Sequence, residues 1–256
     1  MPFVVSLLAF MFLFSYYPDT EVIYASKPGA AGFAEANSLR QSRESNAKKP
    51  RDFKIPDGIP LAGGPSDSAE EYSVVIDPGH GGNDPGASIS GLAEKDIALD
   101  VATRLNSILK ASRIRTYMTR TDDTFSEPKE RIFTANRKKA SLFVSIHCNW
   151  FRDSWYNGTM TLYQPSRRLR KGNLDEVRYA GIIQDELASG LKMKSIGIRD
   201  RDELSVLKHA EMPSVLIELG FLSNKEDRSL LSSEEFRQKA AEAIANGIKK
   251  ALAQIE

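Results

Sequence analysis

The sequence predicts an α/β domain over residues 72–256, with a largely parallel or mixed central sheet and helices on both faces. Two observations predict it. Residues 72–76, 142–146 and 214–219 are short, almost unbroken apolar runs of the length and β-branched content typical of strands buried on both sides. The segments between them place apolar residues at helical spacing. Residues 26–71 show neither pattern, so the fold is read as a single domain behind a linker.

Taken in order, residues 72–76 (YSVVI) form the first strand. Residues 96–112 form an amphipathic helix with Ile97, Val101, Leu105, Ile108 and Leu109 on one face. Residues 114–118 (IRTYM) are the next strand and 130–139 the next helix, followed by a buried strand at 142–146 (LFVSI). Residues 158–163 (GTMTLY) alternate in polarity and are expected at a sheet edge. A helix over 176–191 and a strand over 214–219 (SVLIEL) follow. The last helix spans 233–252, with Ser233 as N-cap and Phe236, Ala240, Ile244 and Ile248 on its buried face.

Ahead of this domain, residues 3–17 are almost continuously apolar, too short for an ordinary spanning helix but suited to the central part of a signal peptide. Ile23 and Ala25 stand where a cleavage site before Ser26 requires small or apolar residues. The first basic residue is Lys27, so the positive stretch that ordinarily precedes such a segment is missing. Residues 1–25 therefore read as a signal peptide or an N-terminal membrane anchor, with possible membrane contact, and imply an extracytoplasmic location. Residues 26–71 read as a disordered polar linker, made basic by Arg40, Arg43, Lys48, Lys49, Arg51 and Lys54.

The net charge of +1 gives no concentrated basic face, which argues against a nucleic-acid partner. The single cysteine, Cys148, excludes an intramolecular disulfide.

In sheets of this class, functional groups gather beyond the carboxyl ends of the strands. Residues 74–76 lead through Asp77, Pro78 and Gly79 to His80, residues 142–146 end at His147, and Glu218 lies inside the last apolar run. Two of the three histidines thus fall at strand ends. A carboxylate in an apolar run is costly unless paired, hydrogen-bonded or protonated, so Glu218 has either a chemical use or a buried partner such as Arg120 or Arg131. The DPGHGG loop around His80 reads equally as a tight turn. Glu94, before the first helix, reads from periodicity as an ordinary helix-start carboxylate. Cys148 and His147 alternate on a strand and point to opposite faces, so Cys148 reads as core packing rather than a nucleophile. His209 reads as a surface residue or a neighbour of the site.

The motifs VVIDPGHGGNDPGA (74–87), GLAEKDIAL (91–99), TRTDD (119–123), FVSIHCN (143–149) and MPSVLIELGFLSN (212–224) together resemble the zinc-dependent N-acetylmuramoyl-L-alanine amidases, the Amidase_3 family. The resemblance covers the domain from Tyr72 to about Leu252. It implies one Zn²⁺ held by His80, Glu94 and His147, with Glu218 as the catalytic carboxylate. It also implies hydrolysis of the amide between N-acetylmuramic acid and the L-alanine of the stem peptide in peptidoglycan. Two imidazoles and a carboxylate suit zinc and leave a fourth position for water. Some members of that family carry a long inserted helix that blocks the site; here the stretch between Tyr163 and Gly197 is short and holds one helix, so activity without an obligate activator is expected, and a monomer is the default expectation. Arg167, Arg168, Arg170 and Lys171 in that stretch can meet stem-peptide carboxylates or form a solvated loop. The competing readings are another zinc hydrolase of the wall, a peptidase or deacetylase, and an inactive wall-binding regulator.

Overall fold

β1 (Ser73–Pro78) is buried along its whole length. It leads through the His80 loop to a small antiparallel hairpin of β2 (Ser88–Ile89) and β3 (Leu92–Ala93). The chain continues through α1 (Glu94–Ala111), β4 (Arg115–Met118), α2 (Pro128–Arg137), β5 (Leu142–Asn149) and β6 (Thr159–Tyr163). It ends with α3 (Glu176–Leu191), β7 (Ser195–Asp200), β8 (Ser214–Phe221), α4 (Lys225–Leu231) and α5 (Glu234–Leu252). This is a computed structural model, and it describes residues 72–165 and 174–255. The segments expected to be a signal or anchor and a linker, and the cluster Arg167, Arg168, Arg170 and Lys171, lie outside the described residues. No helix among the described residues is long and apolar enough to cross a membrane.

Six strands form one mixed sheet in the order β4-β1-β5-β8-β6-β7. The pairs β1–β4, β1–β5 and β5–β8 are parallel, β6 runs antiparallel to β8, and β7 runs parallel to β6. The expected edge strand, residues 158–163, is therefore interior. β7 covers it, and its own sequence SIGIRD is too polar and glycine-broken to announce a strand.

The strands alternate their burial between two apolar layers. Val74, Ile76, Val144, Ile146, Val215 and Ile217 face α1, α3 and α5. Val75, Phe143 and Leu216 face Ile132 and Ala135 of α2 and the segment carrying Leu204, Leu207 and Met212. Each fully buried aliphatic side chain stabilises by about 1.5–3 kcal/mol relative to exposure.

Three helix starts are capped by side chains. Asp175 accepts from the Arg178 N–H, Asn224 from those of Glu226 and Asp227, and Ser233 from that of Phe236, as expected for Ser233. Caps of this kind contribute about 1 kcal/mol each. α4 went unforeseen, being short and mostly polar (KEDRSLL).

Candidate metal centre and its carboxylate

His80, Glu94 and His147 come from three separate stretches, and their donor atoms lie within 4.8 Å of one another. His147 is near the end of β5. Glu94 is the first residue of α1, two residues earlier than helical spacing suggested. It is buried, so a helix-start carboxylate here also reaches across to β5. His80 lies in the loop after β1, in a left-handed conformation with φ 58°.

Glu94 sits at the centre of the group. Its Oε1 is 2.9 Å from His147 Nδ1 and 3.0 Å from His80 Nε2, and accepts the Cys148 backbone N–H at 3.0 Å. Its Oε2 accepts the Ala87 N–H at 2.9 Å. On the far side of the His80 ring, Nδ1 donates to Asp84 Oδ2 at 2.8 Å, which fixes the ring so that Nε2 faces Glu94. Asp84 was not foreseen, although a carboxylate four residues after a histidine in a glycine-rich loop is a readable sign.

Two glycines are required by this packing. A Cβ on Gly79 would run into the His147 imidazole. A Cβ on Gly86, where φ is +63°, would meet both Glu94 Oε2 and the His80 ring.

Two buried arginines hold the His80 loop. Arg120 donates to the carbonyls of Pro78, Gly79, Asp122 and Lys95. Arg131 donates to those of Pro78, His80 and Ser126 and pairs with Asp77 at 3.0 Å. Asp77 also accepts the hydroxyls of Ser145 and Thr119.

The buried-partner reading of Glu218 thus loses its two candidates, since both arginines serve the loop. Glu218 is 4% exposed, and its Oε2 has no hydrogen-bond partner. In the β5–β8 register it stands opposite His147. Burial pushes its pKa well above the ordinary carboxylate value, and the charge of Glu94 adds to the rise. Burial alone would lower the pKa of His80, but hydrogen bonds to Asp84 and Glu94 carry it up to about 10. Burial would raise the Glu94 carboxyl, yet its contacts with His147 and His80 hold it well below the usual range.

Two imidazole nitrogens and one carboxylate oxygen form a donor set suited to a divalent transition metal. Metal–ligand bonds of about 2 Å in tetrahedral array put neighbouring donors about 3.3 Å apart. The two histidine–carboxylate distances of 2.9 and 3.0 Å are close to that separation. The group opens into a cavity of about 380 Å³ lined by His80, His147, Asp84, Phe125, Arg131 and Leu204. The orphaned Glu218 oxygen is the kind of buried acceptor that a reactive water would satisfy.

Cys148 is buried with its thiol in the helix-covered core, and burial pushes its pKa up. His209 is exposed and takes no part in the group.

The chain matches the model of the N-acetylmuramoyl-L-alanine amidase family over residues 74–250. It is 42% identical over 179 residues to the uncharacterized protein YqiI of Bacillus subtilis, covering 70% of this chain and 84% of that one. It is 38% identical over 175 residues to the N-acetylmuramoyl-L-alanine amidase LytC of the same organism, covering 68% of this chain but 34% of LytC. The solved catalytic domain of CwlV, an N-acetylmuramoyl-L-alanine amidase of Bacillus (Paenibacillus) polymyxa var. colistinus, superposes with a TM-score of 0.65 at 37% identity, covering 72% of this chain and 99% of that domain. On its fold, its gathered side chains and this match, the chain belongs to the N-acetylmuramoyl-L-alanine amidase family, Amidase_3.

Proposed function

We propose that this protein hydrolyses the amide joining the lactyl carboxyl of N-acetylmuramic acid to the amine of L-alanine in peptidoglycan, using one zinc ion held by His80, Glu94 and His147 and Glu218 as the catalytic carboxylate. The observation that carries this reading is the pairing of His147 with Glu218 across β5 and β8, which sets a partnerless buried carboxylate beside the three-donor group.

When bound, zinc supplies a positive charge that acidifies water, polarises the scissile carbonyl and favours the ionised form of nearby carboxylates. Glu218 Oε2 accepts a proton from the attacking water while the water oxygen bonds to the lactyl carbonyl carbon. The C–N bond then breaks, and Glu218 returns that proton to the departing alanine nitrogen. Burial raises its pKa above the ordinary carboxylate value, which favours its carrying the proton between the two transfers. Asp84 keeps the His80 ring oriented, and Arg120 and Arg131 keep the loop backbone in place.

Residues 72–256 form the catalytic domain in this reading, behind a polar linker at 26–71 and an export segment at 1–25 that serves as a signal peptide or membrane anchor. The protein acts outside the cytoplasm on cell-wall peptidoglycan, as a monomer and without an obligate activator.

Mass spectrometry of peptidoglycan digested by the wild type and by Glu218→Gln tests the assignment. Separated glycan and stem peptide are expected from the wild type. The variant is expected to keep its zinc and lose roughly 10²- to 10⁴-fold in rate. Release of acetate instead would make the protein a deacetylase.

A further inference from the structure

The two tryptophans of this chain, Trp150 and Trp155, both lie in the loop between β5 and β6, and they are 37% and 65% exposed. A single exposed aromatic needs no explanation. Two in one short loop, leaving the strand that carries His147, do. We propose that this loop is a stacking platform for the sugar rings of a glycan strand, with Trp155 as its principal contact. The inference rests on the reading of the metal centre as one that acts on peptidoglycan.

The platform is built rather than loose. Trp155 stacks on Tyr156 with ring centroids 3.9 Å apart and planes 22° apart. Phe151 meets Tyr156 edge-on at 4.5 Å, and Tyr156 lies over Phe221, the last residue of β8, at 6.2 Å. A column of rings thus rises from the end of β8 to solvent, with Trp155 outermost.

The backbone beneath is tied down as well. The Leu222 N–H donates to the Asn149 carbonyl, the Phe151 N–H to Ser223 Oγ, Asn224 Nδ2 to the Ser154 carbonyl, and the Gly158 N–H to Asp227 Oδ2. A ring fixed before the ligand arrives loses little freedom on binding, so its contact area converts more fully into affinity.

Position and chemistry identify the ligand. Trp150 follows His147 by three residues, just past the end of β5, and Phe221 follows Glu218 by three, about 10 Å along β8. The loop thus lies within reach of a polymer whose amide sits at the metal centre. A pyranose ring offers a face of C–H groups, weakly positive, that matches the negative face of an indole, with hydroxyls around its rim. The exposed side chains of Arg152 and Asp153 stand in the same loop to meet such hydroxyls.

The test uses the full chain and the variants Trp155→Ala, Trp155→Phe and Trp150→Ala, each assayed on insoluble peptidoglycan and on a soluble one-sugar muramyl peptide. Trp155→Ala is expected to raise KM on the polymer about 10-fold with kcat and the one-sugar substrate unchanged, and Trp155→Phe to recover most of the loss. An unchanged KM on the polymer overturns the platform.

If the wild type cleaves neither substrate, the amidase reading fails and the platform is read separately, by tryptophan fluorescence with oligomers of N-acetylglucosamine. Quenching in the wild type that is lost in Trp155→Ala supports it, and absence of quenching overturns it. A dimer in sedimentation that Trp155→Ala dissociates assigns the surface to a second copy of the chain and also overturns it.

Discussion

His147 and Glu218 are direct register partners on adjacent parallel strands, with both side chains on the sheet face opposite the Cys148 thiol. One of the two has contacts on hand in Glu94, while the other leaves an oxygen partnerless. This asymmetry makes Glu218 costly to the fold.

Glu218→Gln is therefore expected to stabilise the metal-free protein where Glu218 would ionise, because the amide removes the burial cost of the charge. The folded-state pKa of Glu218 lies above its unfolded value, so its contribution to stability is present at low pH and lost as pH rises through the folded pKa. The advantage of the variant grows with pH. Thermal unfolding of both proteins at pH 5 and pH 9 checks this, and an equal difference at the two values would contradict it.

In the metal-free protein His80 titrates near 10, above its ordinary 6.5. The stabilisation from its pairs with Asp84 and Glu94 is complete below about 6.5 and disappears as pH rises through about 10. The melting temperature of the metal-free protein should fall between pH 7 and pH 10.5. Because binding displaces a proton from His80, metal affinity should fall as pH drops. Asp84→Asn is expected to lower the His80 pKa and flatten the melting profile, which NMR titration of the ring resolves.

Gly79→Ala places a methyl group where the His147 imidazole sits. The ring has to turn or the β1 loop has to shift, at a cost of about 1–3 kcal/mol. Metal content measured on the purified variant is expected to fall severalfold while circular dichroism keeps the α/β signature. Full metal content would show that the ring has room to move.

Arg131→Met removes the partner of Asp77 inside the core and three donors to loop carbonyls. Breaking a buried ion pair from one side costs about 3–5 kcal/mol. The double variant Arg131→Met with Asp77→Asn should recover part of that stability but not metal affinity, because the His80 carbonyl still lacks its donor. Denaturant unfolding and a zinc competition titration separate the two effects.

Much of the fold is legible because burial on both faces leaves a plain signature, as in residues 74–76, 142–146 and 214–219. β7 is not legible, since a half-exposed strand with Gly197, Arg199 and Asp200 has no apolar rhythm. Without β7, the interior β6 reads as an edge. Glu218 stands out because a carboxylate in an apolar run is an anomaly on its own. Glu94 does not, because acids at helix starts are ordinary, and what distinguishes this one is contact with His147 across 53 positions of sequence. Only the family motifs point to it. The duties of Arg120 and Arg131 are likewise invisible in one dimension, because they consist of bonds to loop carbonyls such as those of Gly79 and His80, 41 and 51 residues away.

Both oxygens of Glu94 are anchored by main-chain amides, those of Ala87 and Cys148. The carboxylate at the centre of this three-donor group is thus held by the polypeptide's own main chain. Maturation can then run in two separate steps, chain collapse first and loading afterwards. A domain finished where the cation is scarce waits in shape for it, and a chelator should silence such a protein reversibly without unravelling it.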